Sequence, residues 1–159
     1  MYQNIEYKNR FRILKGGLIS LVVASNLYGA PSGGTVVSGN ATISQNGNTT
    51  NINQSTQKAS INWQDFSIKS NETVNFNQPN ANSITLNRVI GNEKSIIDGA
   101  LNANGQVWLI NSNGTLFGKN AKVNTSGFLV TTKNLSDEDF NKGNYTFKGD
   151  SKATIENLG

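Results

Sequence analysis

Residues 104–132 read Asn-Gly-Gln-Val-Trp-Leu-Ile-Asn-Ser-Asn-Gly-Thr-Leu-Phe-Gly-Lys-Asn-Ala-Lys-Val-Asn-Thr-Ser-Gly-Phe-Leu-Val-Thr-Thr. Short apolar segments alternate in this stretch with Asn-Gly or Ser-Gly pairs at 104–105, 113–114 and 126–127. Glycine and asparagine tolerate positive φ, so each pair can turn the chain sharply at little steric cost. Strands of three to five residues joined by such turns are typical of an antiparallel meander or of a β-solenoid.

Strand patterns also occur upstream of this stretch. Apolar and polar residues alternate through residues 61–68, with a break at Gln64-Asp65, and again through residues 73–77, which is the period of half-buried strands. The dipeptide Asn46-Gly47 is a hairpin signal. No window of eleven or more residues before residue 133 holds a 3.6-residue apolar period. The pattern therefore predicts an all-β domain.

The charge of the chain is concentrated at its N-terminus. The formal net charge is +4, which invites a nucleic-acid interpretation. Lys8, Arg10, Arg12 and Lys15 account for most of it, because the segment after residue 30 holds ten basic and nine acidic side chains. Nothing downstream forms a phosphate-binding stripe, so no nucleic-acid partner is expected.

The basic start continues into a short apolar segment. Residues 16–24 read Gly-Gly-Leu-Ile-Ser-Leu-Val-Val-Ala, too short to span a bilayer as a helix. A charged start, a short apolar core and small residues after it are typical of a secretory signal peptide. We expect a signal peptide over residues 1–30, cleaved between about 24 and 30; the alternative is a buried N-terminal helix.

The chain contains no cysteine and no histidine. This excludes disulfides, Cys or His metal sites and catalysis that needs imidazole. No cofactor is expected. An exported domain without disulfides must be held by its hydrogen-bond ladder and its core, and a solenoid can achieve this because each coil stacks on its neighbours.

Three stretches carry a family resemblance. They are Ile61-Asn62-Trp63-Gln64-Asp65-Phe66, Val74-Asn75-Phe76-Asn77-Gln78-Pro79 leading to Leu86-Asn87-Arg88-Val89, and residues 99–118. In this order they resemble the N-terminal haemagglutination-activity domain of two-partner secretion exoproteins, a group that includes filamentous haemagglutinin and the high-molecular-weight adhesins. The similarity covers roughly residues 33–132.

The resemblance implies a right-handed parallel β-helix with short extra-helical strands near its N-terminus. It implies an exported domain, residues 31–159, that addresses a long adhesin to a dedicated outer-membrane transporter with periplasmic modules. Export would use the Sec machinery and end outside a Gram-negative cell or on its surface. Family members usually run further, so we expect a C-terminally truncated domain, with any host receptor bound by a missing downstream region.

The resemblance also implies a site. The family's Asn-Pro-Asn-Gly motif falls on Asn111 to Gly114, where Ser112 replaces the usual proline and loses its fixed φ. We expect the Asn-rich turns at the matching positions to serve transporter recognition or folding nucleation. The predicted residues are Asn77, Gln78, Pro79, Asn80, Asn111, Ser112, Asn113 and Gly114.

In a solenoid, inward apolar side chains stack from coil to coil. The candidates are Val107, Leu109, Leu116, Val123 and Leu129. Asparagines at corners can hydrogen-bond to asparagines of the next coil; Asn87, Asn111, Asn113 and Asn124 are the expected contributors, and solvated turn residues are the alternative. Phe140, inside a polar excursion at residues 137–144, is expected to fill a groove or cover a coil.

Two other functions are compatible with parts of this sequence. A β-helical polysaccharide-active enzyme would need clustered acids with a basic partner, and Asp65, Glu93, Asp98 and Arg88 are available. An aggregation-prone disordered tract would fit the Asn-rich composition. The regular alternation at residues 61–76 and 107–130 argues against disorder, and Asp98-Gly99 is better explained as a turn.

Overall fold

The structure, a computed structural model, describes residues 30–159. The predicted signal peptide, residues 1–30, therefore lies outside the described residues except for Ala30. Within the described part, no helix is both long and apolar enough for a membrane span.

Thirteen short strands and one short helix make up the described chain. They are β1 (Thr35–Ser38), β2 (Ala41–Asn46), β3 (Thr49–Gln54), β4 (Lys58–Trp63), β5 (Thr73–Asn77), β6 (Ile84–Val89), β7 (Ser95–Ile97), β8 (Ala100–Ala103), β9 (Gln106–Ile110), β10 (Thr115–Phe117), β11 (Lys122–Asn124), β12 (Gly127–Thr131), α1 (Asp137–Lys142) and β13 (Ile155–Asn157).

The strands form the three walls of a solenoid. Sheet 1 has the order β1-β4-β6-β9-β12, sheet 2 β11-β8-β5-β3-β2, and sheet 3 β13-β10-β7. Along the chain, β6, β7 and β8 visit sheets 1, 3 and 2, and β9, β10 and β11 repeat that order one coil later. Each of these later strands pairs in parallel with its counterpart in the coil before. The parallel β-helix implied by the family resemblance is confirmed, and the meander alternative is wrong.

The first two strands stand outside this progression. β1 pairs antiparallel with β4, and β2 pairs antiparallel with β3. The hairpin predicted at Asn46-Gly47 joins β2 to β3, and Gly47 adopts a φ of 60° in its turn. These strands are the expected extra-helical strands, and they cover the N-terminal edges of sheets 1 and 2.

The interior of the solenoid is built from stacked side chains in register. Val74 and Leu101 are paired neighbours and fully buried, and Val123 follows them in the same row. Val123 is nevertheless 39% exposed, because β11 is the last strand of sheet 2. Val107 and Leu109 are fully buried, as predicted.

Two of the expected inward residues face outward instead. Leu129 pairs with Trp108, while its neighbours Phe128 and Val130 pack into the interior. Leu116 pairs with Ile96, which is 46% exposed. A shift of one residue along a strand moves a side chain to the other face, and an all-apolar run such as Phe-Leu-Val does not reveal which face is which.

The outer face of sheet 1 is covered by a strap, defined here as residues 134–148 and closed by backbone hydrogen bonds between Asn134 and Lys148. Its helix α1 begins after Ser136, whose Oγ accepts from the Asp139 amide, and ends at Gly143 in the left-handed region. Its apolar side chains pack on the outward side chains of sheet 1, forming a second core of Ile84, Leu86, Trp108, Ile110, Leu135 and Phe140. Phe140 therefore covers a wall of the solenoid, one of its two expected roles.

The strap is anchored to strands of two successive coils. Arg88 of β6 donates to the Leu135 carbonyl at 2.5 Å and forms an ion pair with Asp137 at 3.0 Å. Lys58 of β4 donates to the Phe140 carbonyl at 2.8 Å, and its ammonium lies 5.3 Å from the centre of the Phe140 ring. The strap thus holds β4 and β6 together from outside.

We expect Phe140→Ala to lower the free energy of unfolding by about 3 kcal/mol, because it empties a fully buried site beside Trp108. Denaturant unfolding monitored by tryptophan fluorescence measures this. Ile90→Ala is the matched control, since Ile90 is 53% exposed and its truncation should change stability by less than about 0.5 kcal/mol. Equal effects of the two variants would contradict the role given to the strap.

Candidate functional site: two amide-built corners

The Asn111–Gly114 segment forms the corner between β9 and β10. Its backbone closes a turn, with the Gly114 amide donating to the Asn111 carbonyl at 3.0 Å. The Asn111 side chain accepts from the Asn113 amide at 2.8 Å, an Asx-type contact that favours turns. Gly114 has a φ of 100°, and a Cβ there would lie 2.7 Å from the Thr154 carbonyl oxygen. The turn therefore survives without proline at Ser112.

This corner is tied to the preceding coil by its amides. Asn111 donates to the Glu93 carbonyl at 3.0 Å and to Ser95 Oγ at 2.9 Å. Asn113 donates to the Gly91 carbonyl at 2.9 Å. Asn111 is fully buried, whereas Ser112 is exposed. In the folded domain the Ser112 side chain is therefore accessible to solvent, whereas that of Asn111 is not.

The Asn77–Asn80 segment forms a different corner, between β5 and β6. Asn80 closes a turn of the same kind: its carbonyl accepts from Ser83 N at 3.1 Å and its side chain from Asn82 N at 2.9 Å. Asn80 and Gln57 of the preceding coil exchange amide hydrogen bonds at 3.0 and 3.1 Å. The side chains of Asn77, Pro79 and Asn80 are exposed.

Gln78 is the buried centre of that corner. Its Nε2 donates to Thr85 Oγ1 at 3.0 Å and to the Gln106 carbonyl at 2.8 Å, while its Oε1 accepts from Gly105 N at 2.8 Å. A Cβ at Gly105 would lie 2.7 Å from that Oε1, which explains the glycine by close approach. Asn104 completes the corner by bonding both main-chain groups of Gln78. The sequence pattern predicted a site role for Gln78 but not for Asn104. The only sequence feature that points to Asn104 is the turn-favouring Asn104-Gly105 pair.

The predicted asparagine ladder exists on other residues. Asn75 donates to Asn51 and accepts from Asn102, both at 3.1 Å, along the outer face of sheet 2. Asn87 instead lies inside the solenoid, where it accepts the Trp63 indole N–H at 2.9 Å.

The predicted ladder of Asn87, Asn111, Asn113 and Asn124 is therefore wrong. The corner amides find main-chain partners, because a turn leaves backbone groups without ladder partners and a short amide can satisfy them. Asn124 does lie in register with Asn102, at the outermost strand of sheet 2.

The acids proposed for an enzyme do not meet their basic partner. Arg88 is held under the strap on the outer face of sheet 1. Asp65, Glu93 and Asp98 line a groove beside sheet 3. Asp98 accepts two hydrogen bonds from Asn120 at 2.9 and 3.1 Å, and the backbone bond above all holds its pKa below the usual range. Within the described residues no group of three or more His, Cys, Asp or Glu side chains could hold a metal ion.

The two corners present uncharged amides and hydroxyls, without a nucleophile and base in contact. Such groups suit the binding of backbone, either in the neighbouring coil or in an extended partner segment. A chemical step has no acid–base pair to use at these corners.

Comparison with known proteins identifies the family. The TPS secretion domain family matches residues 28–158. The chain belongs to this family. Its members are secretion domains of exoproteins, so a dedicated outer-membrane transporter is implied as partner, and export from a Gram-negative bacterium is implied as destination.

Relatives and a solved structure agree with this assignment. A Heme/hemopexin-binding protein of Haemophilus influenzae strain Rd is 41% identical over 129 residues, covering 76% of this chain and 14% of the relative. A second Heme/hemopexin-binding protein of that species is 37% identical over 142 residues, covering 84% and 15%. The crystal structure of the HMW1 secretion domain from Haemophilus influenzae matches with a TM-score of 0.77 and 44% identity, covering 82% of this chain and 36% of that chain.

The TPS secretion domain of this chain thus spans about one seventh of the curated relatives. Its resemblance to two-partner secretion exoproteins is confirmed. The roles assigned to the eight corner residues remain predictions.

Asp65 provides a pH-dependent test of the structure. Burial, with a smaller contribution from Glu93, raises the pKa of Asp65 from 3.8 to about 6. The folded state disfavours the ionised Asp65 carboxylate, so ionisation lowers the free energy of unfolding. This loss is absent at pH values below the pKa of Asp65 in the unfolded chain and is complete above about pH 6. We expect Asp65→Asn to raise the free energy of unfolding at pH 7.5 by roughly 2 kcal/mol and to change it little at pH 4.

Thermal unfolding monitored by circular dichroism at the two pH values measures this. Asp98→Asn is the opposing control, since its lowered pKa predicts a loss of stability at pH 7.5 that fades as the pH falls through its folded pKa. A stabilisation by Asp65→Asn that is independent of pH would contradict the assignment.

Proposed function

We propose that this domain directs a large exported adhesin to its outer-membrane transporter and nucleates folding of the β-helix outside the cell. The supporting observation is the match to the TPS secretion domain family over residues 28–158, whose described part folds mainly as successive parallel coils. We infer that the chain is not an enzyme, because Arg88 and the three acids lie on different faces.

The proposed route begins with export by the Sec machinery, directed by residues 1–30. The chain then crosses the periplasm in an extended state. Periplasmic modules of the transporter bind an extended segment by strand addition, in which main-chain hydrogen bonds supply affinity and side chains supply specificity. The Asn77–Asn80 and Asn111–Gly114 segments are the proposed recognition elements.

Burial of the corner amides supports recognition before folding. Asn111 is fully buried and Gln78 is 7% exposed, so the transporter can contact these side chains only while the chain is extended. Once outside, each coil pairs with the one before it and the amides engage the neighbouring backbone. Folding then opposes backward movement, and no nucleoside triphosphate is needed at the outer membrane.

We assign the haem or host-receptor binding of a whole exoprotein to regions outside residues 30–159. Two curated relatives are named as heme/hemopexin-binding proteins, whereas an adhesin would bind a receptor on the host cell. This chain lacks His and Cys, two of the common axial ligands of haem. Neither kind of binding has a candidate site among the corner residues.

Secretion of the 159-residue chain tests the proposal directly. The chain is expressed in a Gram-negative host with and without its cognate transporter barrel, and the medium and periplasm are assayed by immunoblot. We expect the chain in the medium only when the barrel is present, because transporter recognition is the proposed role of this domain.

Retention of strand-rich protein in the periplasm despite a working barrel would contradict secretion by these residues alone. A periplasmic marker enzyme controls for leakage. Equal release with and without the barrel would remove the transporter from the proposal.

Alanine variants separate recognition from folding. We expect Asn111→Ala and Asn113→Ala to reduce secretion severalfold, because both side chains define the proposed turn. Asn71→Ala is the matched control, an exposed asparagine in the turn before β5. Refolding of each purified variant, followed by circular dichroism, shows whether a secretion defect comes with a folding defect.

A secretion defect with unchanged refolding supports recognition of the extended chain, and a joint defect supports nucleation. Unchanged secretion of both variants would remove Asn111 and Asn113 from the site.

A further inference from the structure

A groove of about 920 Å³ lies beside sheet 3, at the N-terminal end of the solenoid. We call it the carboxylate groove and define it by residues 64–71 and 91–98, with Ser32 at its edge. It exists because the first coil has no strand on this wall. Residues 64–72 contribute only the isolated bridges Ser32–Asp65 and Ile68–Ile97, whereas β1 and β2 cover the corresponding edges of sheets 1 and 2.

A buried carboxyl without a partner lines this groove. Asp65 is 8% exposed, and its Oδ2 is buried and forms no hydrogen bond. A buried polar atom without a partner is destabilising and calls for an explanation. Glu93 lies close enough to contribute, after burial, to the raised pKa of Asp65. Asp65 and the exposed Glu93 thus both line the groove, and two neighbouring carboxylates are a favourable environment for a positive charge.

No described cation is in ion-pair contact with these two carboxylates. Lys69 and Lys94 stand exposed at the rim. Among residues 30–159 the ion pairs are Arg88–Asp137 and Lys142–Glu138, so neither rim lysine is paired with a groove carboxylate. The third acid, Asp98, is occupied by Asn120.

The groove is also preorganised and partly apolar. The Glu93 carbonyl is fixed by Asn111 at 3.0 Å, and Ile96 N is fixed by Ser67 Oγ at 3.0 Å. Ile96 exposes 46% of its surface while Ile68 is buried beside it. A volume of about 920 Å³ is of the size that small-molecule sites occupy, roughly 300–1,000 Å³.

We propose that the carboxylate groove binds an organic cation, an alkylammonium or alkylguanidinium group whose charge lies between Asp65 and Glu93 and whose alkyl chain contacts Ile96. A metal ion is a poorer fit, because Ca²⁺ takes six to eight oxygen ligands and only two carboxylates are free. The cation is either a free amine or a Lys or Arg side chain of a peptide. The groove belongs to the folded domain and is independent of transporter recognition.

Titration of the full chain at pH 7.5, followed by amide NMR shifts of Ser67, Asn92 and Ile96, tests the proposal. The probes are 1,5-diaminopentane, arginine amide and an acetylated tetrapeptide with one lysine; 1-pentanol is the uncharged control. We expect saturable shifts with the cations and none with the alcohol. Tetrapeptide binding at least tenfold tighter than the diamine identifies a protein side chain as the source; comparable or weaker tetrapeptide binding identifies a free amine.

Three variants decide whether the groove is the site. Asp65→Asn and Glu93→Gln each weaken binding by at least about tenfold, since each removes one member of the carboxylate pair. Glu138→Gln removes an exposed carboxylate of the strap and leaves affinity unchanged; circular dichroism checks that every variant is folded. Absence of saturable shifts, equal binding of 1-pentanol, or an equal loss in Glu138→Gln would overturn the proposal.

Discussion

Parallel pairing of each coil with the one before it is the constraint on which the rest of this structure depends. Once β5, β8 and β11 pair in parallel, their side chains must stack in rows, so Val74, Leu101 and Val123 share one column. A coil cannot bury its apolar residues alone; it needs the next coil as partner. The backbone hydrogen bonds between coils therefore determine which side chains form the core, and without this pairing those side chains would not be buried.

Corners are where such a lattice is most vulnerable, because turning backbone loses its ladder partners. Amide side chains resolve this problem at both corners of the candidate site. Gln78 satisfies groups in the next coil, and Asn111 satisfies groups in the preceding one. The same residues that the family resemblance marks for export are thus structural members of the folded solenoid. A role in transport and a role in folding need not compete, because the first concerns the extended chain and the second the folded one.

The strap adds a second layer of burial to one wall of the solenoid. Trp108 and Ile110 point outward from β9, yet they are only 8% and 2% exposed because Leu135 and Phe140 cover them. This explains why residues 107–110 are apolar without alternation: strands covered on both faces read as continuous apolar runs. The walls formed by sheets 2 and 3 have no such cover among the described residues. The outer face of sheet 2 carries the Asn51–Asn75–Asn102 ladder, and the carboxylate groove lies beside sheet 3 at the N-terminal end.

The sequence by itself determined that the chain is all-β, where its corners lie and which family it resembles. Period-2 alternation and Asn-Gly pairs are local signals, each set by one strand or one turn. The tertiary structure alone decided the rest: that Leu129 faces the strap while Val130 faces the core, that Asn87 binds Trp63, and that Asn111 reaches Ser95. These outcomes depend on contacts between successive coils, 16 residues apart for Asn111 and Ser95 and 24 residues apart for Asn87 and Trp63. They follow from register, and register is a property of paired strands that no single stretch of sequence contains.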